Sequence, residues 1–405
     1  MRIALIDTTA STNNTPRLYP IALLKLGAWL KTQGEEVDLF MNRLPGTGEY
    51  DAIWISTLFT FDIPKALGMV IEAKKRAKYI RVGGIASTLI PEPFEKLGVE
   101  LHKGLHDGAE RMVGDYSLLP ESPRYAIVYT SRGCVRNCGF CMVHRLEPEF
   151  RDLPDWENQL PEIPKGSRFN ILIYDNNWLA KPPDLLARDA EKLRELHKNG
   201  RIRKFDFNQG LDCRLMTEAT AELLEGIPIY PVRFAFDWKA EDGYYQDAVR
   251  MMAKRGFREF ISYMLYNYKD NPGDFYYRLK ESARLTEELG VQVKSFPMRY
   301  QPILEVDPSR KYVGSHWSET MIGSFRRILA AHSTFGQVSC LGGNGMRPLE
   351  EFEYWFGRDE EEFVKLLTFP EIRELIKRKK SALRHYRLGV RENGTTERAT
   401  SRPAA

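Results

Sequence analysis

The chain has 405 residues, of which 43% are hydrophobic and 28% charged, with a formal net charge of +4. That length exceeds what one core usually supports and predicts two domains with an appendage; the composition is that of a soluble globular protein, and the small charge neither demands nor excludes a polyanionic partner. No apolar run approaches the roughly 18 residues of a membrane span, Met1–Asp7 reads as a first strand rather than a secretory leader, and an odd count of five cysteines fits a reducing cytoplasm with a metal or redox role.

The N-terminal stretch alternates strand-like and helical runs. Strands are expected at Arg2–Ile6, Glu36–Phe40, Asp51–Ser56, Tyr79–Val82 and Val99–His102, and helices at Ile21–Thr32, Ile63–Ala77 and Pro93–Leu97. This β-α-β-α order predicts a doubly wound parallel sheet, Rossmann-like or flavodoxin-like, over residues 1–118. Gly83-Gly84 directly follows the fourth strand, where glycine admits a ligand or another backbone at close range.

A linker with Pro120, Ser122 and Pro123 leads into a second series. Its strand-like runs are Tyr125–Thr130, Phe169–Tyr174, Lys204–Phe207, Val232–Phe236, Glu259–Leu265 and Val291–Phe296. Helical patterns at Pro183–Lys198, Thr217–Glu225, Tyr244–Arg255 and Asp274–Leu289 separate them. Six β-α units predict a partial (β/α)6 TIM-like barrel over 119–303, with its chemistry at the carboxyl ends of the strands. Aromatic-rich patches at Tyr312–Trp317, Phe325–Phe335 and Phe352–Phe356 and a basic helix at Glu371–Arg387 suggest an α-rich extension over 304–391. The polar tail 392–405 reads as disordered.

The densest chemical signal is Cys134-Val-Arg-Asn-Cys138-Gly-Phe-Cys141, directly after the first strand of the second series. Three thiolates this close can share one metal centre and leave a four-ligand site one ligand short. With His144 they could instead form a closed Cys3His zinc site, and a fourth protein ligand of another kind would make an electron-transfer iron–sulfur site.

The Cys-x3-Cys-x2-Cys run, with Phe140 before the last cysteine and its place after a first barrel strand, resembles the cluster loop of the radical S-adenosylmethionine (radical SAM) enzymes. The resemblance implies a [4Fe-4S] cluster on Cys134, Cys138 and Cys141, with the fourth iron binding SAM and Phe140 shielding the cluster beside the adenine. A reduced cluster would then cleave SAM to methionine and a 5′-deoxyadenosyl radical, which abstracts hydrogen from a substrate. A small flavodoxin-type or ferredoxin-type protein would be the electron donor. Tyr174-Asp175-Asn176-Asn177 replaces the Gly-Gly-Glu-like stretch of many members and looks like the Asp-Asp-Asn of others, so Asp175 is placed near the SAM amino group. Arg214 resembles the family arginine for the SAM carboxylate, whose planar geometry suits a guanidinium, and Asp237 matches an acid near the ribose or amino group.

The N-terminal region is similar to the cobalamin-binding domains that precede some radical SAM domains. It has Ser56-Thr57-Leu58 after the third strand, Gly83-Gly84 after the fourth, and a first helix running Tyr19-Pro20-Ile21-Ala22-Leu23-Leu24-Lys25-Leu26-Gly27-Ala28-Trp29. The Asp-x-His-x-x-Gly that supplies a lower cobalt ligand is missing, and no histidine precedes His102. Either cobalamin binds without a protein ligand, with methylation as the expected outcome, or the domain keeps the fold alone. Cys213 and Cys340 are too isolated for a second cluster and read as small buried hydrophobes. Arg373, Lys377–Lys380, Arg384 and Arg387 on the basic helix leave RNA open beside a small-molecule substrate.

Overall fold

The computed structural model describes residues 1–9, 18–163, 169–333, 336–342 and 346–383. They form a mixed α/β protein with parallel sheets, divided into two compact units. The first unit comprises Met1–Leu211, Gly226–Tyr230 and Gln301–Tyr312; the second comprises Asp212–Glu225, Pro231–Tyr300 and Val313–Ala405.

The first unit opens on a five-stranded parallel sheet in the order β2-β1-β3-β4-β5, built from β1 (Arg2–Asp7), β2 (Glu36–Met41), β3 (Ala52–Ser56), β4 (Tyr79–Gly83) and β5 (Glu100–Leu101). Side chains alternate across a strand, so β1 feeds two cores. Ile3 and Leu5 pack with Leu23 and Leu30 of the helix Ile21–Thr32, while Ala4 and Ile6 pack with Ile63, Ala66 and Val70 of the helix Ile63–Ala73. Helices on both faces are why β1 is apolar throughout instead of alternating with polar residues. The strand order reverses between β1 and β3, which in such sheets opens a crevice at the carboxyl ends.

The same unit holds a second parallel sheet, β10-β9-β6, from β6 (Tyr125–Val128), β9 (Phe169–Ile173) and β10 (Ile202–Phe207). Between β6 and β9 two short strands, β7 (Ser131–Arg132) and β8 (Arg151–Asp152), pair antiparallel.

The second unit is built on the parallel sheet β11 (Val232–Ala235), β12 (Glu259–Tyr266) and β13 (Gln292–Arg299), in that order. Its helix Pro272–Leu289 starts two residues earlier than the sequence pattern suggests. Asn271 caps it by accepting the Asp274 N–H at 2.9 Å, and Pro272 fits the first turn, where no N–H is needed. The C-terminal aromatics have a structural role: Trp317 and Phe325 pack on Tyr266 and Phe275. They belong to an α-rich stretch with helices at Glu319–His332, Pro348–Phe356 and Glu360–Thr368.

Helices Ile21–Thr32 and Pro183–Lys198 occupy the expected ranges. The short helices Ile85–Leu89 and Asp107–Glu110 carry too few turns for a period to be read. Helical backbone also covers 372–383, where Lys379 bonds the Tyr354 carbonyl and Lys377 pairs with Glu374 at 2.8 Å. Arg384, Arg387, Phe335 and the tail 392–405 lie outside the described residues. No described helix is long and apolar enough to cross a membrane.

Candidate functional site

The cysteines sit on an excursion clamped at its neck. Ser131 and Arg132 pair with Asp152 and Arg151, so the chain leaves and re-enters at one point. Gly133 turns the chain with φ of 76°, and a β-carbon there would fall 2.2 Å from the Glu149 carbonyl oxygen, so no other residue fits. Glu147 Oε2 accepts from the Gly133 N–H at 2.8 Å and from Asn176 Nδ2 at 2.9 Å, tying both ends of the loop to the tip of β9. Cys134, Cys138 and Cys141 form no disulfide and are half-buried. Cys134 Sγ accepts from Arg136 N at 3.4 Å and Asn177 Nδ2 at 3.7 Å, and Cys141 Sγ from Val143 N at 3.5 Å. N–H donors of this kind can also support sulfur bound to a metal. Among the described residues no three His, Cys, Asp or Glu side chains already converge as a metal site. The fit to an iron–sulfur cluster therefore lies in the donor set: three thiols on one anchored loop, with N–H donors aimed at Cys134 and Cys141. Phe140 is half-buried on this loop, and His144 Nδ1 is buried without a hydrogen-bond partner.

Asp175 lies beneath the neck of the loop. Its carboxylate is 3% exposed and accepts from Thr130 N at 2.7 Å, Thr130 Oγ1 at 2.6 Å and Ser131 Oγ at 2.6 Å. Burial pushes its carboxyl above the usual range, against the pull of Lys181 and these donors. Lys181, also buried, donates to Thr130 O and Oγ1 at 2.8 Å and pairs with Asp189 at 2.5 Å and Asp152 at 3.0 Å. The Asp-Asn-Asn stretch thus acts through three different groups: Asp175 on the end of β6, Asn176 on Glu147, and Asn177 on Cys134.

Beside the loop a cavity of about 150 Å³, partly open to solvent, runs along the five-stranded sheet. Ser56, Gly83 and Gly84 line it, together with Lys25, Trp54, Arg81, His102, His106, Glu110, Tyr129 and Arg132. Leu58 is 40% exposed and is not among the lining residues. Gly84 has φ of 102°, and a β-carbon there would lie 2.4 Å from the Thr57 carbonyl oxygen, so the second glycine is needed to close β4 against β3. Arg132 connects the cavity to the loop. Its guanidinium lies 3.4 Å over the Tyr129 ring, grips Glu110 through two bonds of 2.7 and 2.9 Å, and reaches Glu147 at 3.3 Å.

In the second unit the structure brings Arg214 and Asp237 into one buried network. Arg214 holds Asp212 at 2.7 and 3.1 Å and reaches Glu241 at 3.3 Å. Glu241 accepts the Asp237 N–H at 2.7 Å, and Asp237 accepts the Leu265 N–H at 2.8 Å. Burial first of all raises both carboxyls, Asp237 to about 6 and Glu241 to about 7, the latter pushed further by Asp237. Cys213 is buried with its thiol 3.5 Å from the Ala235 carbonyl, and burial raises its pKa. Cys340 is likewise buried and raised, 4.0 Å from His332 Nε2. Both fit the small-hydrophobe reading.

Sequence reasoning misses Lys25, Glu110, Arg132, Glu147 and Gln159. The one local hint is Lys25, a charge on the buried side of an otherwise apolar helical stretch.

No protein-family model matches the chain, and no curated protein matches its sequence. Among solved structures it is similar to the radical S-adenosylmethionine methyltransferase TsrM from Kitasatospora setae with cobalamin and a [4Fe-4S] cluster bound. The TM-score is 0.53 at 12% identity, over 76% of this chain and 77% of that one. The cobalamin-dependent S-adenosylmethionine radical enzyme OxsB with aqua-cobalamin bound also matches, with a TM-score of 0.49 at 15% identity, over 71% of this chain and 52% of that one. At such identity the likeness to TsrM establishes a shared fold.

Proposed function

We propose that the chain is a radical SAM enzyme that carries cobalamin, with the cofactor domain at 1–118, the SAM-binding β/α region at 119–303 and an α-rich extension at 304–391. One observation carries this reading: the three-thiol loop and the cavity lined by Ser56, Gly83 and Gly84 share a wall, Arg132 and Tyr129, in a fold like that of TsrM. When bound, the cluster would supply the electron that splits SAM into methionine and a 5′-deoxyadenosyl radical, and cobalamin would supply methyl transfer.

The chain's own residues do the holding. Cys134, Cys138 and Cys141 would bind the irons, with Asn177 and the Arg136 and Val143 N–H groups supporting the sulfurs. Glu147 fixes the loop through Gly133 and Asn176. Asp175 serves as the buried anchor of the neck, and Arg214 and Asp237 remain the candidates for SAM in the second unit. The substrate is a small molecule or an RNA, and the electron donor a flavodoxin-type or ferredoxin-type protein.

Anaerobic reconstitution with iron and sulfide, followed by SAM and dithionite, tests the reading. The expected result is 5′-deoxyadenosine or S-adenosylhomocysteine from the parent and none from Cys138→Ala. The orphaned Nδ1 of His144 favours one competing reading, a Cys3His zinc site. A colourless protein with stoichiometric zinc and no SAM turnover would establish that alternative and end the radical SAM reading.

A further inference from the structure

Lys25 is a buried cation that makes no salt bridge to a carboxylate among the described residues, and its ammonium lies 5.4 Å from the centre of the Tyr129 ring. Its side chain lines the cavity, and the residue is 3% exposed. The ammonium donates to the Glu110 backbone carbonyl at 2.7 Å and to Gln159 Oε1 at 2.9 Å, both neutral oxygens. Gln159 is fixed in that orientation, since Nε2 donates to the Tyr129 carbonyl at 2.8 Å and Oε1 also accepts the Tyr129 N–H at 3.2 Å. The nearby carboxylates are already engaged: Arg132 holds Glu110 with two bonds and Glu147 with a third contact.

An ammonium has three N–H donors, and here two have protein acceptors. Holding such a group away from water is costly, and the burial lowers its pKa to about 8, against the pull of the Glu110 carboxylate that Arg132 already holds. On its cavity side the walls are largely apolar, formed by Ile21, Leu26, Trp54, Ile55 and Leu105. A ligand suited to this cavity has an apolar body and brings one negative charge to Lys25.

We infer that Lys25 is the anion-recognition residue of the cavity, pairing with a phosphate-type group on the bound ligand. This rests on the cobalamin reading of the cavity, and it names the part of the cofactor recognised: the phosphodiester of its nucleotide tail, a monoanion. A charge-assisted bond to that group would satisfy the third N–H and neutralise the ammonium.

Three corrinoids test it by absorbance titration of the full chain: cobalamin, cobinamide phosphate and cobinamide, the last lacking the phosphate. In the parent, cobalamin and cobinamide phosphate should bind more tightly than cobinamide. Lys25→Met should weaken the two phosphate-bearing corrinoids by about tenfold or more and change cobinamide by less than about twofold. The ligand-free variant should melt no lower than the parent, because the change removes an unpaired buried charge. A merely structural lysine would instead lower the melting temperature and weaken all three corrinoids alike. Equal weakening, or unchanged cobalamin affinity in Lys25→Met, overturns the anion site and leaves the cobalamin reading standing. Absence of corrinoid binding to the parent overturns both.

Discussion

Replacing Asp175 with alanine separates a ligand contact from an anchor. The carboxylate holds three donors at 2.6–2.7 Å, all from Thr130 and Ser131, directly before the cysteine loop. Truncation leaves the Thr130 N–H buried without an acceptor, at a cost of about 1–3 kcal/mol. The two hydroxyls lose a charged acceptor but can rotate toward other oxygens, so their share is smaller. Lys181, which the carboxylate helps to balance, loses a neighbouring negative charge. Together these predict a loss of roughly 3–5 kcal/mol, since such terms do not add fully. For a unit of this size that corresponds to melting about 6–20 °C lower. Asp175→Asn keeps the shape but turns an NH2 toward a donor, and should fall between the parent and alanine. Urea unfolding by circular dichroism and SAM titration should be measured on the same samples. An unchanged unfolding midpoint together with SAM affinity weakened about tenfold would refute the anchor assignment and restore Asp175 as a SAM ligand.

Three further outcomes are expected. Gly84→Ala should cost at least about 2 kcal/mol and abolish corrinoid binding, because its φ is 102° and its β-carbon would strike the Thr57 carbonyl. Gly83→Ala, whose β-carbon would meet only an ordinary contact at 3.5 Å, should cost under about 1 kcal/mol; equal effects in denaturant melts would count against this account. Lys181→Met should lose about 1–3 kcal/mol, because the fully buried Asp189 loses one of its two cations and keeps only Arg188 at 2.8 Å, and a midpoint within error of the parent would contradict it. The last outcome concerns pH. Asp237 is raised from 3.8 to about 6, so between those values the folded state holds more protons than the unfolded one, and stability falls as pH rises. Asp237→Asn should remove up to roughly 3 kcal/mol of that fall, read as the difference in unfolding free energy from urea melts at about pH 4 and about pH 7; a slope equal to the parent's would disprove it.

The sequence by itself determined the elements and the position of the thiols. Helices such as Ile21–Thr32 and Pro183–Lys198 have a 3.6-residue period long enough to read, and apolar runs such as Arg2–Ile6 mark strands covered on both faces. The cysteine spacing is local, so its chemistry survives without coordinates. Tertiary structure alone decided what the polar residues do. Asp175 lies 45 residues from Thr130, and Gln159 lies 134 from Lys25, so no local pattern could pair them. The same holds for the reach of Arg214 to Glu241, and for Arg132, which joins cavity and loop through carboxylates on separate elements. A buried charge is defined by its surroundings, and those surroundings are assembled only when distant segments pack.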